Sequence, residues 1–224
     1  MKRIALDIET TGLDPKLGHR IVEIGCIELE NNYPTGKYFQ QYINPEREMP
    51  EEALKIHGLS TEFLLDKPVF SDIVDKFISF VNNAELVIHN AKFDLGFLNY
   101  ELESASKKNL DKFKIIDTLL LARKIFPGAA NNLDALCRRY NIDISKRKKH
   151  GALLDAELLA DVFLEMNGGR QQGFNLNFGS DKVTFDTTIK EENTLYCKKI
   201  IAPDREEEIL HEKLRTKIKE NSSF

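Results

Sequence analysis

The chain is 224 residues long, 42% hydrophobic and 30% charged, and it carries a formal net charge of −4. This composition is typical of a globular protein, and the length suits one domain of about 100–200 residues with an appendage. The acidic balance argues against strong autonomous binding to nucleic acids, whose phosphates are usually contacted by basic residues, and it suggests that a partner would deliver any such substrate.

The N-terminal part of the sequence predicts three β-strands. Alternating apolar residues indicate a strand at 4–9, and two further apolar or aromatic runs indicate strands at 20–30 and 37–43. The connections between these runs are short, as in hairpins. We therefore expect an antiparallel meander at the start of the chain.

Helices and strands alternate in the middle of the sequence. Pro50 and the acidic residues after it begin a short helix. Asn132 is a predicted N-cap, and Gly168 and Gly169 end the last helix of the domain. The remaining segments are predicted as helices at 71–81, 93–102, 118–126, 133–140 and 153–166, and as strands at 85–89 and 114–117. This order predicts an α/β fold with a mixed sheet.

The character of the sequence changes after Gly169. Residues 170–195 are rich in Gln, Asn, Gly, Ser and Thr, which predicts a flexible linker between a domain at 1–169 and a final segment at 196–224. Within that segment, residues 204–220 have one apolar stripe, acidic residues at the start and basic residues at the end, as in a helix. A helix of this kind either docks on a partner or folds back onto the main domain.

Two further features bear on the location of the protein. Cys26, Cys137 and Cys197 are widely spaced and form no CxxC pair, so neither a zinc site nor a disulfide framework is expected. No apolar run approaches the ~20 residues of a membrane-spanning helix, and the N-terminus lacks a signal-peptide core. We therefore expect a protein of the reducing cytoplasm.

Four carboxylates and one histidine are candidates for chemistry. Asp7 and Glu9 lie two residues apart on a predicted strand, so their side chains share one face. They either bind cations or form a solvated strand end. Asp94 begins a helix, where it either serves a site or interacts with the helix dipole. His150 precedes the last helix of the domain and Asp155 lies on it, and both would be unremarkable surface residues if taken alone.

Taken together, these residues resemble a known family. The order Asp-x-Glu, Asp after a strand–helix turn, and His-x4-Asp is similar to that of the DEDDh exonucleases, and most similar to the proofreading exonucleases of bacterial replicative DNA polymerases. The Tyr-type subgroup would have tyrosine at Gly151, so the His type is indicated. The resemblance extends over residues 2–169 and is carried by the segments 6–12, 24–25, 63–68, 85–90, 122–124, 133–137 and 150–156.

The resemblance implies a fold and a site. It implies a ribonuclease H-like five-stranded mixed sheet flanked by helices, and two divalent cations, Mg²⁺ or Mn²⁺. The expected metal ligands are Asp7, Glu9, Asp94 and Asp155, and His150 would be the general base. Substrate contacts are expected from Asp7, Glu9, Asp155, Glu52 and His57, the last two beside the terminal nucleotide.

The resemblance also implies partners and leaves alternatives. The substrate would be DNA with an unpaired 3′ end, cleaved to nucleoside 5′-monophosphates. The final segment would bind the catalytic (alpha) subunit of DNA polymerase III, and residues 171–178, from Gln171 to Phe178, loosely resemble a sliding-clamp peptide. The alternatives are a free-standing RNA or oligonucleotide exonuclease and a non-catalytic tether between polymerase and clamp.

Two groups of residues near the candidate site have more than one interpretation. The basic run Lys146-Arg147-Lys148-Lys149 is either a solvated loop or a contact for phosphate. Phe93 and Phe97 either stack on bases or pack in the core, and core packing is the more common role for such residues.

Overall fold

The computed structural model of the protein describes residues 1–145, 147, 149–169 and five positions near the C-terminus. These residues form one five-stranded mixed sheet in the order β3-β2-β1-β4-β5. The strands are β1 (Lys2–Thr10), β2 (Ile21–Glu30), β3 (Tyr33–Tyr42), β4 (Glu85–Ile88) and β5 (Ile115–Asp117). The first three strands are antiparallel, whereas β4 runs parallel to both β1 and β5. The predicted meander and mixed α/β sheet are thus confirmed.

Seven α-helices are found in the described part of the chain. They are α1 (Glu51–His57), α2 (Thr61–Leu65), α3 (Phe70–Val81), α4 (Ala91–Ser104), α5 (Thr118–Ile125), α6 (Leu133–Arg139) and α7 (Ala152–Met166). As predicted, the Asn132 side chain caps α6 by accepting a hydrogen bond from the Ala135 amide. Gly168 and Gly169 follow α7 with positive φ, a conformation that glycine adopts without steric cost.

Alternation along β1 separates the two faces of the sheet. Ile4, Leu6 and Ile8 pack into the larger core, to which α3 and α4 also contribute. Ala5 faces the other way, into a core that includes Ala156 and other residues of α7. Asp7 and Glu9 are in phase with Ala5. The fold therefore turns both carboxylates toward the face that α7 covers.

Three details of the predicted elements were wrong. The third strand begins at Tyr33 rather than at residue 37, because an edge strand can include Pro34 and Gly36, which interrupt the sequence pattern. Helix α2 and a 3-10 turn at Pro15–Leu17 were not predicted. Both are too short to show a helical period.

Little of the C-terminal part falls within the described residues. Arg205, Glu207, His211, Glu212 and Arg215 are helical and exposed, in agreement with the helix predicted at 204–220. The predicted linker, the clamp-like peptide and Cys197 lie outside the described residues. Cys26 and Cys137 are buried and not disulfide-bonded. Among the described helices, none has both the length and the apolar character needed to cross a bilayer.

Candidate active site

The candidate site lies where the C-terminal end of β1 meets the first turn of α4. Strand β1 is hydrogen-bonded to β4 in parallel, so the C-terminal ends of both strands lie at the same end of the sheet. Asn90 follows β4 in the left-handed conformation (φ 68°), which asparagine tolerates better than most residues. Helix α4 begins directly after Asn90, and Asp94 lies in its first turn. Its buried carboxylate accepts hydrogen bonds from the backbone of Asp94 and of Ile8, so β1 and α4 are joined at the site.

The other half of the site comes from α7 and the loop before it. Asp155 is buried in the first turn of α7, and its Oδ2 lies 3.3 Å from Nδ1 of His150. The His150 side chain is 47% exposed, so solvent reaches it. Ligand atoms of Glu9, His150 and Asp155 all lie within 4.8 Å of one another. The predicted convergence of residues from the first strand and the last helix is therefore present.

Arg147 is held tightly within this half of the site. Its Nε and Nη2 atoms donate to the two carboxylate oxygens of Asp155 at 2.6 and 2.7 Å, and Nη1 donates to Asp134 at 2.6 Å. Nη2 also lies 2.8 Å from Nδ1 of His150. The side chain is only 8% exposed. For Arg147 the interpretation as part of a solvated loop is thus wrong, whereas Lys146 and Lys148 lie outside the described residues.

Mutual repulsion and burial dominate the electrostatics of the carboxylates. Burial, together with the negative charges of its neighbours, raises the pKa of Asp7 well above its ordinary value. Burial and the charge of Asp155 raise the pKa of Glu9 to about 8. The pKa of Asp94 is also raised, chiefly by burial. These three groups resist ionisation in the absence of a compensating cation.

Asp155 and His150 behave in the opposite way. Burial alone would raise the pKa of Asp155, but hydrogen bonds from Arg147 and His150 outweigh it, and the pKa lies below its ordinary value. The same hydrogen bond to Asp155 raises the pKa of His150. Arg147 thus outweighs the burial of Asp155, whereas its weaker effect on Asp7 does not offset the burial of that carboxyl. The donor set fits hard divalent cations, which prefer carboxylate oxygens and offset the repulsion among them.

The two residues expected at the terminal nucleotide differ in placement. His57 ends α1 and is buried, and the nearby charges of Lys149 and His150 add to the effect of burial in lowering its pKa. The Leu59 amide donates to its Nδ1, so in the neutral ring Nε2 carries the proton. The backbone of Thr10 acts on the ring and opposes the fall in pKa, but among the described residues no acceptor meets Nε2 with the geometry of a regular hydrogen bond. Glu52 lies on the exposed first turn of α1.

Phe93 and Phe97 differ in how deeply they are buried. Phe97 is fully buried in the larger core, which confirms its interpretation as a core residue. Both rings line an open cavity of about 520 Å³ that also includes the exposed side chain of Leu13, but only Phe93 is partly exposed. For Phe93 the interpretation as a residue that stacks on bases therefore stays a prediction.

Glu23 was not predicted as a site residue, but the structure places it beside the site. Glu23 lies on β2 directly opposite Glu9 and is 2% exposed. It accepts hydrogen bonds from the Ala152 amide at the start of α7 and from the Gln40 side chain. In the sequence it is one of three glutamates in β2, and only its burial in the structure sets it apart.

Comparison with known proteins agrees with this geometry. Residues 4–163 match the family model for exonucleases. Two relatives are named DNA polymerase III subunit epsilon. The one from Rickettsia conorii is 48% identical, covering 97% of this chain and 96% of the relative. The one from Salmonella typhimurium is 51% identical, covering 75% and 72%. The chain belongs to the family of DNA polymerase III epsilon subunits.

This epsilon-family protein is a 3′→5′ exonuclease of the proofreading class, and its DEDDh relatives depend on divalent metal ions. The fold agrees with that of the nuclease domain of 3′hExo, a DEDDh family member solved with rAMP. The two structures have a TM-score of 0.64 at 19% identity, covering 75% of this chain and 92% of that one. The ribonuclease H-like fold is confirmed. Membership in the epsilon family agrees with the first of the three functional interpretations given above.

Proposed function

We propose that Asp7, Glu9, Asp94 and Asp155 hold two Mg²⁺ or Mn²⁺ ions, with which the enzyme hydrolyses the terminal phosphodiester of an unpaired DNA 3′ end. The observation that carries this proposal is the convergence of the four carboxylates, three of which have raised pKa values. Such a cluster is costly to bury unless cations neutralise it. Selection for a frayed end favours mismatched termini, because less energy is needed to separate them.

We assign the role of general base to His150. Bound divalent cations would supply positive charge for the phosphoryl oxygens and lower the pKa of a water molecule. The exposed imidazole of His150 can take a proton from that water, while its Nδ1 remains next to Asp155. The base must be neutral to do this, so its raised pKa predicts that activity increases with pH through its titration. The leaving 3′-oxygen takes its proton from solvent, His150 returns its own to solvent, and the product is a nucleoside 5′-monophosphate.

Contact with the terminal nucleotide is proposed for both residues of α1. Nε2 of His57 is a buried donor that meets no well-aligned acceptor among the described residues, the backbone of Thr10 acting on it only weakly, so a ligand that accepts its hydrogen bond would be favoured. Glu52 is exposed and free to approach a sugar hydroxyl. We assign Asp7, Glu9 and Asp155 to the phosphate side of the substrate, through the cations that they hold.

The partners are proposed from the relatives' names and from the tail. As a subunit of polymerase III, the protein would receive its DNA from the catalytic alpha subunit, which the segment 196–224 would bind. Residues 171–178 would contact the sliding clamp. The net charge of −4 supports delivery by a partner, since an acidic nuclease gains little affinity of its own from phosphate contacts.

The proposal is tested by hydrolysis of labelled DNA primers. The wild-type protein with Mg²⁺ or Mn²⁺ should degrade a 3′-mismatched primer faster than a paired primer or an RNA strand, and EDTA should stop the reaction. Asp7→Ala should lose at least 100-fold in rate, and Asp75→Ala, which removes an exposed carboxylate on α3 paired with Lys107, is the matched control. Equal loss in both variants, or faster cleavage of RNA, would contradict the assignment.

A further inference from the structure

The N-terminus of α7 lacks a cap of its own. Its N-cap residue is Gly151, which has no side chain to accept a hydrogen bond from the first turn. The first amides of a helix need an acceptor from elsewhere, above all when they are buried. This matters for the site because Asp155 lies in that first turn, three residues after Ala152.

Strand β2 supplies the missing acceptor. Oε2 of Glu23 accepts a hydrogen bond from the Ala152 amide at 3.1 Å, across 129 positions of sequence. Its Oε1 accepts one from Nε2 of Gln40 at 2.8 Å, which fixes the carboxylate from the β3 side. A carboxylate at this end of a helix is also favoured by the helix dipole.

A glycine on the same strand sets how closely α7 approaches. Gly25 lies two residues after Glu23, on the same face of β2, and pairs with Asp7 on β1. A methyl group added at Gly25 would overlap the backbone of Ala152 and Leu153. The first turn of α7 therefore rests directly on the backbone of β2, next to the strand that carries Asp7 and Glu9.

We propose that Glu23 and Gly25 are positioning residues that seat the first turn of α7 and thereby place Asp155 at the distance from Glu9 that cation binding requires. Glu23 is a costly residue for this position, because its charge adds to the repulsion that raises the pKa of Glu9. Its hydrogen bond to Ala152 accounts for its presence. The inference depends on the proposed role of Asp155 as a metal ligand.

The test is the binding of Mn²⁺ alone to the metal-free, full-length protein, measured by titration calorimetry, with thermal unfolding measured in parallel. Glu23→Ala should weaken Mn²⁺ binding by about 10–100-fold, the range typical of residues that orient metal ligands. Glu23→Gln should stay within about 3-fold of the wild type, because its carbonyl can accept from Ala152 while the Gln40 amide rotates to accept from its NH₂ group. Equal losses in the two variants would show that charge matters rather than capping, and would overturn the proposal.

Matched controls separate positioning from general destabilisation. Glu85→Ala removes another buried carboxylate, which bonds Arg3 and Lys114 at the opposite end of the sheet, so it should lower the melting temperature without weakening Mn²⁺ binding. Gly25→Ala should behave like Glu23→Ala, whereas Gly96→Ala, where an added methyl group meets open space, should bind Mn²⁺ normally. If Glu85→Ala weakens Mn²⁺ binding as much as Glu23→Ala, the role of Glu23 is merely structural.

The variant Asp155→Asn separates the proposed metal site from the proposed positioning role of Glu23. It should weaken Mn²⁺ binding at least as strongly as Glu23→Ala. If it does not, the proposed metal site itself is wrong. If Asp155→Asn loses Mn²⁺ and Glu23→Ala retains it with wild-type affinity, only the positioning role fails.

Discussion

Replacing Glu9 with glutamine is expected to stabilise the metal-free protein at mildly alkaline pH, although it removes a proposed metal ligand. The reason is that burial and the charge of Asp155 raise the pKa of Glu9 to about 8. Between 4.5 and about 8, the folded protein holds a proton on Glu9 that the unfolded chain has released. The free energy of unfolding must therefore fall as pH rises through this interval.

The size of the effect follows from the two pKa values. Each pH unit between them corresponds to about 1.4 kcal/mol, so Glu9 alone accounts for a loss of roughly 3 kcal/mol between pH 5.5 and pH 8. Asp7 and Asp94 have raised pKa values as well and act in the same direction. Because the groups are coupled and can share protons, about 2 kcal/mol is the more realistic gain for Glu9→Gln at pH 8.

The measurement is urea unfolding in EDTA at both pH values, for the wild type and for Glu9→Gln. The variant should gain least over the wild type at pH 5.5, which is only one pH unit above the ordinary value of 4.5, and it should gain most at pH 8. Added Mn²⁺ should stabilise the wild type at pH 8 and leave the variant almost unchanged. A variant that is less stable than the wild type at pH 8 would refute the electrostatic account of the site.

Three other predictions concern single contacts. Arg147→Met should raise the pKa of Asp155, since its hydrogen bonds now hold that value down, and an unchanged carboxyl titration by NMR would contradict this. Arg20→Ala should lower the free energy of unfolding by about 3 kcal/mol, because it leaves the buried Glu101 carboxylate without its bidentate partner. A loss below about 1 kcal/mol in urea unfolding would contradict this prediction. Phe97→Ala should cost about 3–5 kcal/mol by leaving a core cavity, and a smaller loss would mean that the surrounding core collapses to fill it.

The fold was largely predictable because its longer elements carry clear periods. The pattern at 71–81 corresponds to α3 within one residue, and the apolar run at 85–89 corresponds to β4. Short elements gave no such signal, and α2 has only five residues, less than two helical turns. The start of β3 was obscured by Pro34, which is compatible with a strand only at the edge of the sheet, and the edge position is a property of the whole topology.

The site was predictable where residue type and order suffice, and not where partners are distant in sequence. The carboxylates and His150 have a recognisable order, and they do converge. Arg147 looked like one cation in a basic run, whereas its bonds to Asp155 and Asp134 span 8 and 13 positions and depend on the packing of α6 and α7. Glu23 is the extreme case, since its partner lies 129 positions away.

The position of Asp155 on α7 has a consequence for the newly made protein. Strand β1 and helix α4 contribute Asp7, Glu9 and Asp94 early in the chain, but the fourth carboxylate arrives only with the last helix of the domain. On the proposed assignment of the metal ligands, a growing polypeptide completes its metal site only after more than 150 residues have emerged and α7 has packed on the sheet. Nuclease activity is then expected only after the whole domain has folded, and C-terminal truncations that remove α7 should be inactive.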